Sequence, residues 1–244
     1  HTIPVLPISY GEAQKIMQQM QGDPVPAAWQ GGLPFTYRIQ GGTDLKLRIK
    51  VDQPINYTPV ANIVGTLKGA EFPDEWIILG CHFDAWGFGA TDPNSGTAML
   101  LSLSESLGRL TAKGYRPKRS IMIAHWDAEE HGVIGSSEWV EQMGEMLGAK
   151  AIAYMNFDGG VSGKNFGASA SPTLKQLIID ASKSVNYPYN EQTLYEFWKK
   201  TEAAQVNIGN LGGGSDHIAF YKRLDLPSPS AGTSASAPYH SNYD

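Results

Sequence analysis

From residue 61 onward, short runs of apolar residues alternate with stripes of helical spacing, and few folds satisfy such a pattern. The runs at 61–67, 76–81, 121–126 and 151–157 are too short for core helices. They also lack a consistent polar face, as strands buried on both sides require. Between them, Leu100, Leu103, Leu107 and Leu110 form one helical stripe, and Trp139, Val140, Met143 and Leu147 form another. Ser171 followed by Pro172 reads as the N-cap and first-turn proline of a further helix over 174–185. Strands alternating with helices predict an α/β chain: a three-layer α/β/α sandwich around a mixed, largely parallel central sheet.

The residues before this region read differently. Ser9 and Glu12 make a capping box, and Ala13, Ile16, Met17 and Met20 follow at helical spacing until Gly22 closes the turn. The segment 44–51 alternates strictly, with Leu45, Leu47, Ile49 and Val51 apolar and Lys46, Arg48 and Lys50 polar. That pattern predicts a half-exposed strand in an antiparallel sheet. The character changes around 53–56, which sets an expected boundary between a unit at 1–56 and a larger one at 57–244. Within the larger unit, 27 Gly and 15 Pro in the whole chain imply many loops, the small-residue stretch 227–237 among them.

Charge and cysteine content exclude several classes of function. A formal net charge of −5 argues against nucleic acid or an anionic membrane as partner, because both reward clustered Lys and Arg. A single cysteine excludes an internal disulfide and a thiolate metal cage. No apolar run reaches the roughly eighteen residues of a membrane span.

Metal-type residues then appear where the strands should end. The run 76–81 leads into His82, Asp84 and Asp92, 121–126 into Asp127, Glu129 and Glu130, and 151–157 into Asp158. His240 follows the small-residue stretch. A solvated loop explains any one of these stretches taken alone. Carboxylates at the carboxyl ends of successive parallel strands, however, converge on one sheet edge, and such crowding calls for cations. Histidine and carboxylates without paired cysteines suit zinc or a similar divalent ion, and the number of acids suits two ions better than one.

These residues carry a resemblance. His82-Phe83-Asp84, Asp92-Pro93-x-Ser95-Gly96, Trp126-Asp127-Ala128-Glu129-Glu130-x-Gly132, Asp158 and Tyr239-His240-Ser241 resemble glutamate carboxypeptidase and its relatives. Those proteins are co-catalytic zinc exopeptidases that share their fold with the transferrin receptor ectodomain. Ile3-Pro4-Val5 through Met20 and the Asn62–Leu67 run extend the likeness over nearly the whole chain. The resemblance implies that Asp92 bridges two Zn²⁺ ions, with His82 and Asp158 completing one site and Glu130 and His240 the other. It makes Glu129 the general base, and it alone separates the roles of Glu129 and Glu130. Asp84 would fix His82 through its second ring nitrogen, and Tyr239 would direct its hydroxyl at the oxyanion. Gly214 and Ser215 would border a substrate channel, with Asp216 and His217 bracing that loop. Asp92-Pro93 is expected to be a cis peptide. Glu138 and Glu141 match positions where relatives hold a structural Ca²⁺, though only in part, the other ligands coming from sequence upstream of His1. His125 and His131 are not expected to be ligands, and Cys81 reads as a small buried strand residue.

The same resemblance implies that 1–56 is the end of an inserted protease-associated domain and 57–244 a truncated peptidase domain. Relatives continue into a helical dimerisation domain, so a homodimer is expected of the longer protein. They also imply an extracellular, periplasmic or membrane-anchored setting for it. The chain alone is expected to be a weak catalyst. One departure concerns specificity: glutamate-directed members carry an arginine ten residues after the Asp158 position and more arginines before the final histidine. Here the first is Ala168, and 227–238 is uncharged. The expected activity is hydrolysis of terminal peptide bonds, as carboxypeptidase or aminopeptidase. A receptor-like module without catalysis, or an amidohydrolase acting on non-peptide amides, are the alternatives.

Overall fold

The computed structural model describes residues 5–52, 54, 56–199, 206–234 and 239–244. Ile3 and Pro4 of the opening motif, positions 53 and 55 of the boundary, and 235–238 of the small-residue stretch lie outside the described residues. The chain divides into two compact units, His1–Thr58 and Pro59–Asp244.

In the first unit, helix α1 (Tyr10–Met17) begins at Ser9, whose Oγ accepts the Glu12 backbone N–H as the capping box predicts. The helix ends earlier than expected, with Gln18 as its cap. Gly22, at φ 78, lies instead in strand β1 (Gln21–Pro24), which pairs antiparallel with β2 (Arg38–Gln40). The alternating segment 44–51 is not a strand, and Leu47, Ile49 and Val51 are all exposed. Alternation alone cannot make a strand. Its backbone groups need a partner, and the described residues of this unit hold only the β1–β2 pair.

The second unit is built on one mixed sheet of six strands, ordered β3-β5-β4-β6-β8-β7. Strands β4 (Phe72–His82), β5 (Arg119–Trp126), β6 (Ala151–Asn156) and β8 (Pro229–Ser234) run parallel. The edge strands β3 (Ile63–Leu67) and β7 (Asn165–Ala170) are antiparallel to their neighbours. From β4 the chain passes through α2 (Asn94–Ala112) to β5 on one side. From β5 it returns through α3 (Ile134–Lys150) to β6 on the other. The strand order therefore reverses at β4, and the crevice at the carboxyl end of such a strand is where open α/β sheets bind ligands.

Alternation along the strands separates two cores. Ile77, Leu79 and Cys81 of β4 point to one face, where Leu100, Leu103 and Leu107 of α2 cover them. Ile78, Met122, Trp126 and Tyr154 point to the other, under Val140 and Leu147 of α3 and Phe220 of the later helix His217–Leu224. Leu110 of the first stripe remains exposed at the end of its helix. Gly80 lies between the cores and site: a Cβ there would run into the Tyr154 hydroxyl and the Trp126 indole, which hydrogen-bond at 2.9 Å. Ser171 precedes a 3-10 turn that leads into α4 (Lys175–Ser184), but its hydroxyl does not cap the helix. It pairs instead with the Ser228 backbone, donating to O and accepting from N–H. Among the described residues no helix is long and apolar enough to cross a membrane.

Candidate metal centre

The carboxyl edge of the parallel strands collects the metal-type residues. His82 is the last residue of β4, aligned with Trp126 at the end of β5. Glu129 and Glu130 follow β5, Asp158 follows β6, and His240 follows β8. Asp92 arrives from the loop before α2, across an Asp92–Pro93 bond that is cis, as expected. Gly96, in the first turn of α2, lets that helix abut the carbonyls of Phe157 and Asp158. This close approach brings Asp92 and Asp158 to the same crevice. The turn 239–244 is fastened beside them, because the Thr91 backbone N–H donates to Asp244 Oδ1 at 2.8 Å.

Asp92 faces both histidines. Its Oδ1 lies 3.0 Å from His82 Nε2 and its Oδ2 3.0 Å from His240 Nε2. Asp158 Oδ1 lies 3.3 Å from His82 Nε2, and Glu130 Oε2 3.3 Å from His240 Nε2. Two clusters result, His82–Asp92–Asp158 and Asp92–Glu130–His240, each with ligand atoms within 4.8 Å of one another. Asp92 Oδ1 is buried and accepts no hydrogen bond although an imidazole nitrogen is adjacent. An orphaned carboxylate oxygen beside two imidazoles and two further acids is a donor set suited to divalent cations, and the residues fit zinc. Glu129 belongs to neither cluster; its Oε2 lies 3.8 Å from His82 Nε2.

Electrostatics point the same way. Burial alone would lower the His82 imidazole, but its hydrogen bond to Asp158 and the adjacent Asp92 carboxylate overcome it and push it up to about 11. Burial pushes the Glu129 carboxyl up to about 8, partly opposed by the His82 charge. Burial also raises Glu130, against the hydrogen bond it accepts from the Trp86 N–H. The crevice is thus strongly attractive to positive charge.

Asp84 meets the second ring nitrogen of His82 with its backbone rather than its side chain. The group that holds His82 Nδ1 is the Asp84 backbone carbonyl, at 2.9 Å. The carboxylate, with Oδ1 3.5 Å from that nitrogen, instead accepts the N–H groups of Glu129 and Glu130 at 2.9 and 3.1 Å. That contact clamps a turn in which Ala128 has φ 55, a left-handed conformation costly without a Gly. Asp127 is likewise structural, accepting the N–H groups of Ala61 and Ala128.

Ser215 is buried rather than open to a channel, while Gly214 before it is exposed. The Ser215 hydroxyl donates to Asp158 Oδ2 at 2.7 Å and accepts from Asn156 Nδ2 at 2.8 Å. Asn156 Oδ1 accepts from the Tyr154 hydroxyl, which accepts from Trp126 Nε1. This buried relay ending on Asp158 is absent from the sequence reading; its only trace is Asn156, a polar residue ending an apolar run. His217 braces its loop as expected, by a 2.9 Å hydrogen bond to the Gly212 carbonyl, whereas Asp216 accepts from Ser136. Tyr239 is exposed, with its ring stacked on His240. Partial burial of its hydroxyl and the nearby Asp92 charge push it up to about 12. His125 is buried in β5, and His131 packs edge-on against Trp86; neither joins a cluster. Cys81 is fully buried. Glu138 and Glu141 are exposed on α3, Glu141 pairs with Arg223, and among the described residues neither joins a metal-type group.

Known proteins resemble this chain in sequence and in fold. The model of peptidase family M28 matches residues 62–244. The probable glutamate carboxypeptidase LAMP1 of Arabidopsis thaliana is 40% identical over 244 residues, covering 99% of this chain and 35% of that protein. The aminopeptidase NAALADL1 of Mus musculus is 34% identical, over 93% of this chain and 33% of its own length. The chain thus spans about a third of the length of the curated relatives it matches. Among solved structures, the zinc aminopeptidase BSAP of Bacillus subtilis superposes with a TM-score of 0.58 at 20% identity, covering 75% of this chain and 44% of that one, which establishes a shared fold.

Proposed function

The chain belongs to peptidase family M28, and on that premise we propose that it forms the catalytic core of a zinc-dependent exopeptidase. His82, Asp92 and Asp158 would hold one ion, and Asp92, Glu130 and His240 a second. The observation that carries this reading is the two-sided Asp92 carboxylate, with one oxygen turned to each histidine and Oδ1 buried without a hydrogen bond. When bound, the ions would supply a water acidified to a pKa near 7 and polarise the peptide carbonyl.

The chain's own residues divide the remaining work. The Asp84 carbonyl accepts a hydrogen bond from His82 Nδ1–H, which holds the proton there and leaves the Nε2 lone pair for a cation. The relay through Ser215 fixes the direction of Asp158. Glu129, buried beside the clusters but outside both, takes the proton of the attacking water and returns it to the leaving amine. Its raised carboxyl suits both tasks, because a general base works best with a pKa near the working pH. The Tyr239 hydroxyl, which keeps its proton far into the alkaline range, donates to the developing oxyanion.

The test is turnover of dipeptides by the zinc-loaded chain, with each terminus blocked in turn, beside Glu129→Gln. Cleavage that requires one free terminus and disappears in Glu129→Gln at unchanged zinc content supports the proposal. Full activity in Glu129→Gln would remove Glu129 from the mechanism, and absence of cleavage with two ions bound would reject peptidase activity.

A further inference from the structure

We propose that Asp244 is a positioning residue for the metal site that contains His240: by accepting the Thr91 N–H, its side chain fastens the turn that carries His240 to the loop that carries Asp92. This rests on the two-ion reading above. The two side chains reach the crevice by different routes. Asp92 is framed from its own side, because α2 starts at Asn94 and its first residues tie back to the preceding loop. Ser95 Oγ donates to the Thr91 carbonyl at 2.6 Å. The Asn94 N–H donates to the Gly89 carbonyl at 3.0 Å, and Asn94 Nδ2 to the Phe88 carbonyl at 2.9 Å. His240 instead lies in an exposed turn beyond β8, in neither helix nor strand. Its backbone is left-handed, with φ 55. That conformation costs free energy in a residue with a Cβ and persists only where the surroundings impose it.

Asp244 supplies such a constraint. It is 5% exposed, in a turn where Tyr239 and Tyr243 are 62% and 87% exposed. Its Oδ1 accepts the Thr91 N–H at 2.8 Å, and its own N–H donates to the Ser241 carbonyl at 3.1 Å, which closes the turn on the residue after His240. The contact between His240 and Asp92 cannot set the turn in the same way, because it is the contact that a shared cation would replace. Stability alone does not favour an acid at position 244. Its Oδ2 is buried without a hydrogen bond, and an orphaned acceptor weakens a fold. Without the Asp244 bond, Asp92 keeps its frame and His240 loses part of its own. The consequence is asymmetric: one ion should weaken and the other should not.

The experiment titrates zinc into the full chain and its variants against a chromophoric chelator, resolving the two affinities. Asp244→Ala should weaken one ion by about tenfold or more and leave the other nearly unchanged. Asp244→Asn keeps an oxygen for the Thr91 N–H and should restore the native pattern. In a His240→Ala background, Asp244→Ala should cost the remaining ion nothing further, because its effect passes through His240. Equal weakening of both ions, weakening of neither, an Asp244→Asn chain that behaves as Asp244→Ala, or a further loss in the His240→Ala background overturns the proposal. Asp244→Ser, whose hydroxyl stops one bond short of Thr91, serves if Asp244→Ala does not fold. A native chain that binds fewer than two ions rejects the two-ion reading instead. The positioning is then read from the imidazole resonances by nuclear magnetic resonance. Asp244→Ala should shift those of His240 and leave those of His82, and equal shifts or none overturn it.

Discussion

Replacing Gly96 by alanine tests whether helix packing sets the distance between the two halves of the centre. A Cβ at position 96 would lie 1.7 Å from the Phe157 carbonyl oxygen and 2.8 Å from its carbon. Even a contact of 3.0 Å, closer than real Cβ atoms approach, requires the start of α2 and the end of β6 to separate by about 1.3 Å, the difference between 3.0 and 1.7. Both obstacles are backbone, so no side-chain rotation relieves them. Overpacking of this kind costs about 3 kcal/mol or more. In a unit of this size each kcal/mol is worth about 2–4 °C, so Tm should fall by roughly 6–12 °C. Asp92 lies four residues before Gly96 and Asp158 one residue after Phe157, so the same movement pulls apart two members of one cluster. Zinc affinity, measured by competition with a chromophoric chelator, should fall by about tenfold or more. Gly108→Ala, in the same helix with nothing within 4 Å of its Cβ, is the control and should be neutral or stabilising by about 0.4–1 kcal/mol. A Gly96→Ala chain with unchanged Tm and zinc affinity would refute the packing argument.

Glu130→Gln should weaken one zinc by about tenfold or more while leaving the other, and loss of turnover with both ions fully retained would show that Glu129 and Glu130 had been exchanged. Ser215→Ala should lower the affinity of one zinc about 10–100-fold at little cost in Tm, with Ser215→Thr restoring it; equal affinity in all three chains would make the relay merely structural. Cys81, fully buried with its thiol held well above the usual range by desolvation, should resist alkylation in the native state and react on denaturation. Rapid labelling of the native chain would contradict that burial.

What was legible in the sequence followed from local pattern. The apolar runs of β4, β5 and β6 and the stripes of α2 and α3 carry their periodicity openly, and the metal-type residues stand where those strands end. β7 and β8 were hidden because Asn165–Ala170 and Pro229–Ser234 consist largely of small residues with weak strand preference. Their structure comes from pairing with each other and, for β8, with β6, which no local window reveals. The segment 44–51 is the converse case, strong local alternation with no partner strand. At the centre, residue type sets Asp84 beside His82 but cannot say which of its groups meets the ring; that group is the backbone carbonyl. The relay through Tyr154, Asn156 and Ser215 joins β6 to a loop 59 residues away from Asn156, and only the fold brings them together.

The most direct test of the central claim is the number of zinc ions bound tightly per folded chain, compared between the native sequence and Asp92→Ala. If one carboxylate serves both clusters, the native chain binds two ions and Asp92→Ala loses tight binding of both, whereas His240→Ala loses one. A native stoichiometry of one, or an Asp92→Ala chain that still holds an ion with native affinity, would contradict it.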